Sequence, residues 1–404
     1  MWVTPFFIGS ARENEVMQKQ ELLQKFTELF GDSDGAEVYF APGRVNLIGE
    51  HTDYNGGHVF PCALSVGTYA VARKRSDRVL RFYSLNFEDK GMIDSSLDEL
   101  KPDPLADWTN YPKGVMWAFE QKGMEIPRGM DLMLYGTIPN GSGLSSSASV
   151  EVLTGFILRD FFGFDVSNEE LAKIGQFSEN QFNGVNCGIM DQFAIAMGKK
   201  DQAIFLDTRD LSYQYVPIRL DGVVLIITCS NIKRGLADSK YNERRSECES
   251  ALGDLQQVIG IESLGDLTEK VFDSYAAAIH DETCRKRARH AVYENQRTIR
   301  AVDVLEKKDI DAFGQLMNES HRSLSEDYEV TGDVMDTLVQ IQWQCEGVIG
   351  SRITGAGFGG CTVSLVKEEY TDLFQKQVSL EYTEKTGLKA DFYVVEIGDG
   401  PKKL

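Results

Sequence analysis

Four short stretches of this chain set chemistry-bearing side chains beside glycines. The run Pro139-Asn140-Gly141-Ser142-Gly143-Leu144-Ser145-Ser146-Ser147-Ala148-Ser149 leads straight into apolar residues at helical spacing, Val150, Leu153, Phe156, Ile157 and Phe161. The first N–H groups of a helix lack internal partners and sit at its positive end. Glycines admit a ligand close to the backbone and serines add hydroxyl donors, which together make a phosphate cradle. A Ser-rich N-cap on a core helix is the plainer alternative. No G-x-x-x-x-G-K-[ST] stretch and no H-R-D or D-F-G set is present, so a nucleotide would have to be held by this loop. The segment from Ala41 to Gly57 crowds Arg44, Glu50, His51 and Asp53 between Pro42-Gly43 and Gly56-Gly57. Carboxylates and imidazole accept and donate in fixed directions, as sugar hydroxyls require; a solvated loop is the alternative. Asp191 stands in the otherwise apolar Cys187-Gly188-Ile189-Met190-Asp191-Gln192-Phe193. An acid there is costly unless it is paired or used, or unless it caps a helix. Twelve residues earlier, Glu179 would be a natural magnesium ligand beside a phosphate loop, because magnesium takes few protein oxygens and keeps several waters.

The elements that must position these residues follow from periodicity. Asn14 to Phe30 reads as an amphipathic helix, and Glu37 to Phe40 as a strand feeding the Arg44 segment. Val59 to Lys74 and Val79 to Phe87 read as strands of an antiparallel sheet. Trp108 to Gln121 reads as a helix, and Met130 to Tyr135 as a strand entering the Ser-rich loop. Ser167-Asn168-Glu169-Glu170 is a capping box that starts the helix carrying Glu179. Ala203 to Asp207 and Val223 to Thr228 are strand-like, whereas helical patterns dominate from about Asp238 to Ile341. Gly355-Ala356-Gly357-Phe358-Gly359-Gly360 spells G-x-G-x-x-G. It runs into strand-like Cys361 to Val366 rather than a helix, so it reads as a tight inter-strand turn and not as a dinucleotide fingerprint. Strands and helices mix without steady alternation, which favours an α+β fold. The shift in composition predicts two domains, 1–210 with the Arg44 segment and Ser-rich loop, and 211–404 with the third glycine stretch.

Composition removes other classes. The net charge is −20 over 404 residues, with pI near 4.8. That argues against nucleic acid and anionic membranes as partners, and it requires the few local cations and a bound metal to offset the field around any phosphate. The seven cysteines are scattered and none forms C-x-x-C, so reduced thiols in a cytoplasmic protein are expected. Five histidines without paired spacing argue against a structural zinc site. No signal peptide or membrane-length apolar run is visible.

The three glycine-bearing stretches resemble the motifs of the small-molecule kinase family that includes galactokinase, homoserine kinase, mevalonate kinase and phosphomevalonate kinase. Gly43-Arg44-Val45-Asn46-Leu47-Ile48-Gly49-Glu50-His51-Thr52-Asp53-Tyr54-Asn55 looks like the galactokinase signature, and the resemblance runs from about Tyr39 to the strand after Cys361. It implies a two-domain α+β fold of mixed and antiparallel sheets with helices, its active site in the cleft between domains. The activity it implies is Mg²⁺- and ATP-dependent phosphorylation of galactose at its anomeric hydroxyl, with galactose and ATP as small-molecule substrates and no obligate protein partner inferred. The alternatives are an N-acetylgalactosamine kinase and a non-catalytic sensor of sugar and ATP. By the same resemblance Asp191 is the catalytic base and Arg44 lies near the reacting hydroxyl. Glu50, His51, Thr52, Asp53, Gly188 and Tyr241 bind the sugar. Gly141, Ser142, Gly143, Leu144, Ser145, Ser146 and Ser147 hold the phosphates, and Ser147 with Glu179 holds Mg²⁺. Ser84, Trp108 and Tyr111 lie against adenine, although by themselves Trp108 and Tyr111 at the start of a helix read as core aromatics. The chain departs from the common pattern at Asn231 to Leu236, where a His before the Leu is missing.

Overall fold

The computed structural model describes residues 17–105, 107–138, 143–232 and 237–404. The expected helix start at Asn14, the Pro139–Ser142 part of the Ser-rich loop (with Gly141 and Ser142) and the segment 233–236 lie outside the described residues. In chain order the strands are β1 (Glu37–Asn46), β2 (His58–Val59), β3 (Pro61–Lys74), β4 (Val79–Ser84), β5 (Ile93–Ser96), β6 (Met130–Gly136), β7 (Gln202–Asp207), β8 (Tyr213–Pro217), β9 (Val223–Cys229), β10 (Val348–Thr354), β11 (Cys361–Lys367), β12 (Asp391–Val395) and β13 (Lys402–Lys403). The α-helices are α1 (Lys19–Phe30), α2 (Asn110–Gln121), α3 (Ser146–Phe162), α4 (Asn168–Gln181), α5 (Met190–Ala196), α6 (Ala237–Gln256), α7 (Glu269–Tyr275), α8 (Glu282–Glu306), α9 (Ile310–Glu326), α10 (Gly332–Gln344) and α11 (Thr371–Thr386). Among the described residues no helix is long and apolar enough to cross a membrane.

A six-stranded sheet in the order β13-β1-β3-β6-β4-β5 carries the first two motifs, and a four-stranded sheet, β10-β11-β9-β12, carries the third. β2, β7 and β8 form a small third sheet. The α+β expectation holds. The sheet is mixed as expected: β4 pairs antiparallel with β5, not with β3, and parallel with β6, Leu80 opposite Met130 and Ser84 opposite Leu134. A parallel pair needs a crossover connection, and α2 lies in the chain between the two strands.

β1 is buried along almost its whole length because both its faces are covered. Tyr39 and Ala41 enter the core shared with α2, α3, α4 and α5, while Val38 packs with Leu22 and Phe26 of α1. A third apolar layer joins the two large sheets, with Val45, Leu47 and Phe60 against Leu225, Ile227 and Val363. This layer fixes the first motif relative to the third. β13 closes the outer edge of β1, with Tyr39 opposite Lys403 and Phe40 opposite Lys402. The capping box at Ser167 forms as expected, each partner bonding the other's backbone N–H.

The cysteines correct the expectation of seven reduced thiols. Cys229 and Cys361 form a disulfide. They are far apart in sequence but directly opposed where β9 and β11 pair, a proximity created only by strand register. The other five are free.

Candidate active site

The motifs meet in one place because of how β1 ends. Its register with β3 shifts between Pro42 and Arg44, leaving Gly43 as the irregular residue. A Cβ on Gly43 would stand 3.0 Å from the Leu144 carbonyl oxygen and from Ile138. Glycine therefore lets the Ser-rich loop close onto β1, and the Arg44 N–H donates to the Leu144 carbonyl at 3.3 Å. The third motif adds a turn between β10 and β11 in which Gly355, Gly357, Phe358, Gly359 and Gly360 all have positive φ. It is an inter-strand turn and opens no helix, as its sequence implies.

Between these loops lies a cavity of about 460 Å³. The first motif contributes Arg44, Glu50, His51 and Asp53, and the Ser-rich loop Gly143, Ser145, Ser146 and Ser147. Gly188 and Asp191 come from the segment that enters α5, Tyr241 from α6, and Gly355 and Ala356 from the third motif. Sequence reasoning missed the loop Asn183 to Cys187 and Asn242, which also line it.

Asp191 is held at both carboxylate oxygens. Arg44 donates from Nε to Oδ1 at 2.7 Å and from Nη2 to Oδ2 at 2.8 Å, a two-point clamp. Its Nη1 reaches the Gly143 carbonyl at 2.7 Å. The Ser145 hydroxyl donates to Asp191 Oδ2, and Ser145 holds a left-handed backbone at φ 60° as the cap of α3. One guanidinium thus ties the first motif, the Ser-rich loop and Asp191 together. The Asp191 side chain stays 33% exposed, whereas that of Arg44 is 4%.

Glu50 is buried, and its Oε1 accepts from the Gly355 N–H at 2.7 Å and lies 3.4 Å from Arg352 Nη2. It braces the third motif as well as lining the cavity. Burial raises its carboxyl, against the pull of Arg352 and Arg44. Thr52 does not line the cavity. Its hydroxyl is held by the Gly49 and His58 carbonyls at 2.9 and 2.6 Å, so it shapes the loop from behind. Gly188 meets Asp53 so closely that a Cβ there would fall 1.8 Å from Asp53 Oδ2.

Asp53 is pushed up to about 7, first by burial and then by the charges of Asp191 and Glu50. The folded protein therefore binds this proton more tightly than the unfolded chain. Its contribution is without penalty below the ordinary value near 3.8, and stability is lost as pH rises from there to about 7. His51 and His290, lowered to about 3 and about 4 mainly by burial, contribute in the opposite sense as pH falls below 6.5. Melting curves of the empty protein and of Asp53→Asn should thus converge towards pH 4 and separate towards pH 7, with the variant gaining. A constant difference across that range would contradict this proton.

The residues expected against adenine, Ser84, Trp108 and Tyr111, are not among those lining the cavity. Trp108 is buried in the apolar core against Phe82, with ring centroids 6.2 Å apart. Tyr111 packs against the same core. Ser84 ends β4, and its Oγ accepts from the Asn86 N–H at 3.2 Å. Leu144 is fully buried. Glu179 is buried on α4 beside Glu151 of α3, an acid the sequence did not single out and whose carboxyl feels the Glu179 charge. Glu151 also accepts from Gln192 Nε2 at 2.9 Å. Burial first, and then the Glu179 charge, raises its carboxyl well above the ordinary range.

Comparison with known proteins agrees with this geometry. Residues 24–74 match the galactokinase galactose-binding signature, residues 110–199 the GHMP kinases N terminal domain, and residues 301–382 the GHMP kinases C terminal model. The chain is 56% identical over 383 residues to a galactokinase of Clostridium beijerinckii, covering 95% of this chain and 98% of the relative. It is 53% identical over 386 residues to the galactokinase of Bacillus subtilis, covering 96% and 99%. The crystal structure of Lactococcus lactis galactokinase complexed with galactose superposes with a TM-score of 0.93 at 47% identity, covering 95% of this chain and 99% of that one. A mevalonate kinase shares the fold at a TM-score of 0.63 and 19% identity. The motif spacing, the joined loops and these full-length likenesses agree, and the chain belongs to the galactokinase family.

Proposed function

We propose that this cavity transfers the γ-phosphoryl group of ATP to the anomeric hydroxyl of galactose, with Asp191 orienting that hydroxyl and accepting its proton. The observation that carries this reading is the Arg44 clamp, which joins the sugar motif, the Ser-rich loop and Asp191 in one hydrogen-bonded unit. Phosphoryl transfer asks for positioning and charge neutralisation more than covalent chemistry. The clamp fixes the plane of the Asp191 carboxylate, and Arg44 supplies positive charge where negative charge develops. Ser145, Ser146 and Ser147, at the start of α3, line the cavity where the phosphates are proposed to lie, and a helix start offers unpaired N–H groups to an anion. Residues on both sides of the proposed domain division near residue 210 line the cavity, Arg44 and Asp191 before it and Tyr241 and Gly355 after it. The need for ATP argues for the cytoplasm; the Cys229–Cys361 bond is the one feature more usual elsewhere.

The donor set suits Mg²⁺. Ser147 and Glu179 offer hard oxygen ligands, and the Glu151–Glu179 contact puts two acids side by side where added positive charge is favourable. Magnesium takes few protein oxygens and keeps several waters, so two protein ligands beside the phosphates suffice. When bound, Mg²⁺ neutralises phosphate charge. Glu179→Gln keeps the shape and removes a charge, so the Mg²⁺ concentration for half-maximal rate should rise while the melting temperature is kept. An unchanged magnesium titration at fixed ATP would leave Glu179 a structural residue.

Substrate choice gives the direct test. A site that hydrogen-bonds a hydroxyl rejects the misplaced isomer strongly, since its polar groups are left unpaired. Galactose should exceed glucose, which differs at the 4-hydroxyl, by orders of magnitude in kcat/KM. Equal values for the two sugars, or a preference for N-acetylgalactosamine, would overturn the assignment.

A further inference from the structure

Behind the cavity runs a chain of hydroxyls that the reaction does not use. His51 Nδ1 lies 2.8 Å from the Tyr54 hydroxyl, which lies 2.7 Å from the Tyr328 hydroxyl, which lies 3.3 Å from Cys248 Sγ. Tyr328 and Cys248 are fully buried, and His51 is 4% exposed. The Tyr328 ring packs 4.8 Å from the His51 ring and 4.4 Å from His290. His290 is itself fixed, because its Nε2 faces the Glu50 carbonyl at 3.1 Å and must donate, leaving Nδ1 to accept from Ser323. His51 stands at φ 62°, and its carbonyl is tied by Asn55 Nδ2 at 2.7 Å. Its Nε2 is buried and makes no hydrogen bond of ordinary geometry to the protein, although the Ala356 backbone of the third motif lies close enough to the ring to interact weakly with it.

The direction of the chain decides which His51 nitrogen carries the proton. A neutral imidazole has one donor and one acceptor nitrogen, and burial keeps His51 neutral. If the chain ran outward from Nδ1–H, it would end by donating to a thiol sulfur, a weak acceptor. Run inward, Cys248 S–H donates to Tyr328, Tyr328 to Tyr54, and Tyr54 to Nδ1, so every hydrogen meets oxygen or nitrogen. The second arrangement leaves Nε2–H as a donor at a cavity wall otherwise supplied with the acceptors Glu50 and Asp53.

We propose that Tyr54, held by Tyr328, is a positioning residue that fixes the proton of His51 on Nε2, so that His51 meets a sugar hydroxyl as a hydrogen-bond donor. This rests on the placement of sugar against His51 in the function proposed above. Neither Tyr54 nor Tyr328 lines the cavity; Tyr54 reaches it through its hydrogen bond to His51, and its ring also packs edge-on to Tyr241 with centroids 5.3 Å apart.

The test uses the full chain labelled with ¹⁵N-histidine, with His51→Gln to assign the His51 signals. Nitrogen shifts without sugar should show the Nε2–H form in the wild type and a mixture of tautomers in Tyr54→Phe. The galactose KM of Tyr54→Phe should rise about three- to tenfold, the range of one neutral hydrogen bond, with kcat and the ATP KM within twofold. Tyr328→Phe should move the same parameters less, and the double variant should be no worse than Tyr54→Phe. An Nδ1–H form in the wild type overturns the proposal, as does an unchanged galactose KM in Tyr54→Phe. Equal losses in kcat and both KM values would also overturn it, since they mark a general packing defect. If Tyr54→Phe does not fold, the wild-type tautomer and the Tyr328→Phe KM decide alone. A galactose KM indifferent to His51→Gln would instead refute the sugar placement, and the tautomer measurement separates the two failures.

Discussion

Asp191→Asn should bind galactose and turn it over roughly 10²–10⁴-fold more slowly, the usual loss when a general base is removed. The amide is nearly isosteric, so the cavity wall is kept. Its hydrogen bonding is not. Both carboxylate oxygens accept, Oδ1 from Arg44 Nε and Oδ2 from Arg44 Nη2 and Ser145. An amide can keep its oxygen towards Nε and let the Ser145 hydroxyl reverse, but its NH₂ then faces Nη2. The variant loses the proton acceptor and one arm of the clamp. Arg44→Lys keeps a positive charge and loses the planar two-point contact, together with the bond to the Gly143 carbonyl. The two changes break the same unit, so the double variant should be less impaired than the product of the singles. Single-turnover rates and galactose affinities for the three proteins decide it. A near wild-type kcat in Asp191→Asn refutes the base. Lost galactose affinity with an intact rate on bound sugar would make Asp191 a binding residue.

The largest effect on stability should come from a residue outside the cavity. Glu294 of α8 is fully buried beneath the first motif. It accepts from the Gly49 N–H at 2.9 Å and the Ser320 hydroxyl at 2.6 Å, and its other oxygen accepts from Arg297 Nε at 2.8 Å. Glu294→Ala strands the Arg297 cation, which is 6% exposed, and unties the turn that leads into Glu50. Removing one partner of a buried ion pair costs about 3–5 kcal/mol, and denaturant titration should show a loss of that size. Arg297→Met together with Glu294→Leu should recover part of it, because no charge is then left alone. Acid sensitivity follows the same pair. Burial alone would raise the Glu294 carboxyl, but Arg297 and its neighbours outweigh burial and bring it to about 2. Its stabilisation is complete above its ordinary value near 4.5 and is lost as pH falls towards 2. A destabilisation of Glu294→Ala that does not shrink across that acid range would show that the charge is not what holds the turn.

What the sequence disclosed and what it withheld divide along one physical line. The Ser-rich loop, the Arg44 segment and the third glycine turn are each contiguous, and their glycines and punctuation announce a shaped backbone. Their meeting follows because Gly43 allows the close approach seen at Leu144. Glu294, Tyr328 and Glu151 gave no such signal. Each is one ordinary residue in a helix or at its end, and it matters only through a contact made by tertiary packing. The Cys229–Cys361 pairing is the same case, set by the alignment of β9 with β11. Trp108 and Tyr111 show the converse, since their spacing suits a core helix and the structure packs them in that core.

The pairing of β13 with β1 has a consequence for how the molecule is made. β1 and β3 can form a hairpin as soon as residue 74 is available, but the outer edge of β1 finds its partner only at Lys402 and Lys403. At roughly 5–20 residues per second of synthesis, that edge waits on the order of tens of seconds. Throughout that wait an open strand edge is a template for pairing with another nascent chain. On a ribosome the vulnerable part of this protein is therefore the strand that later carries Arg44, and crowded translation should raise its aggregated yield more than its folded stability would suggest.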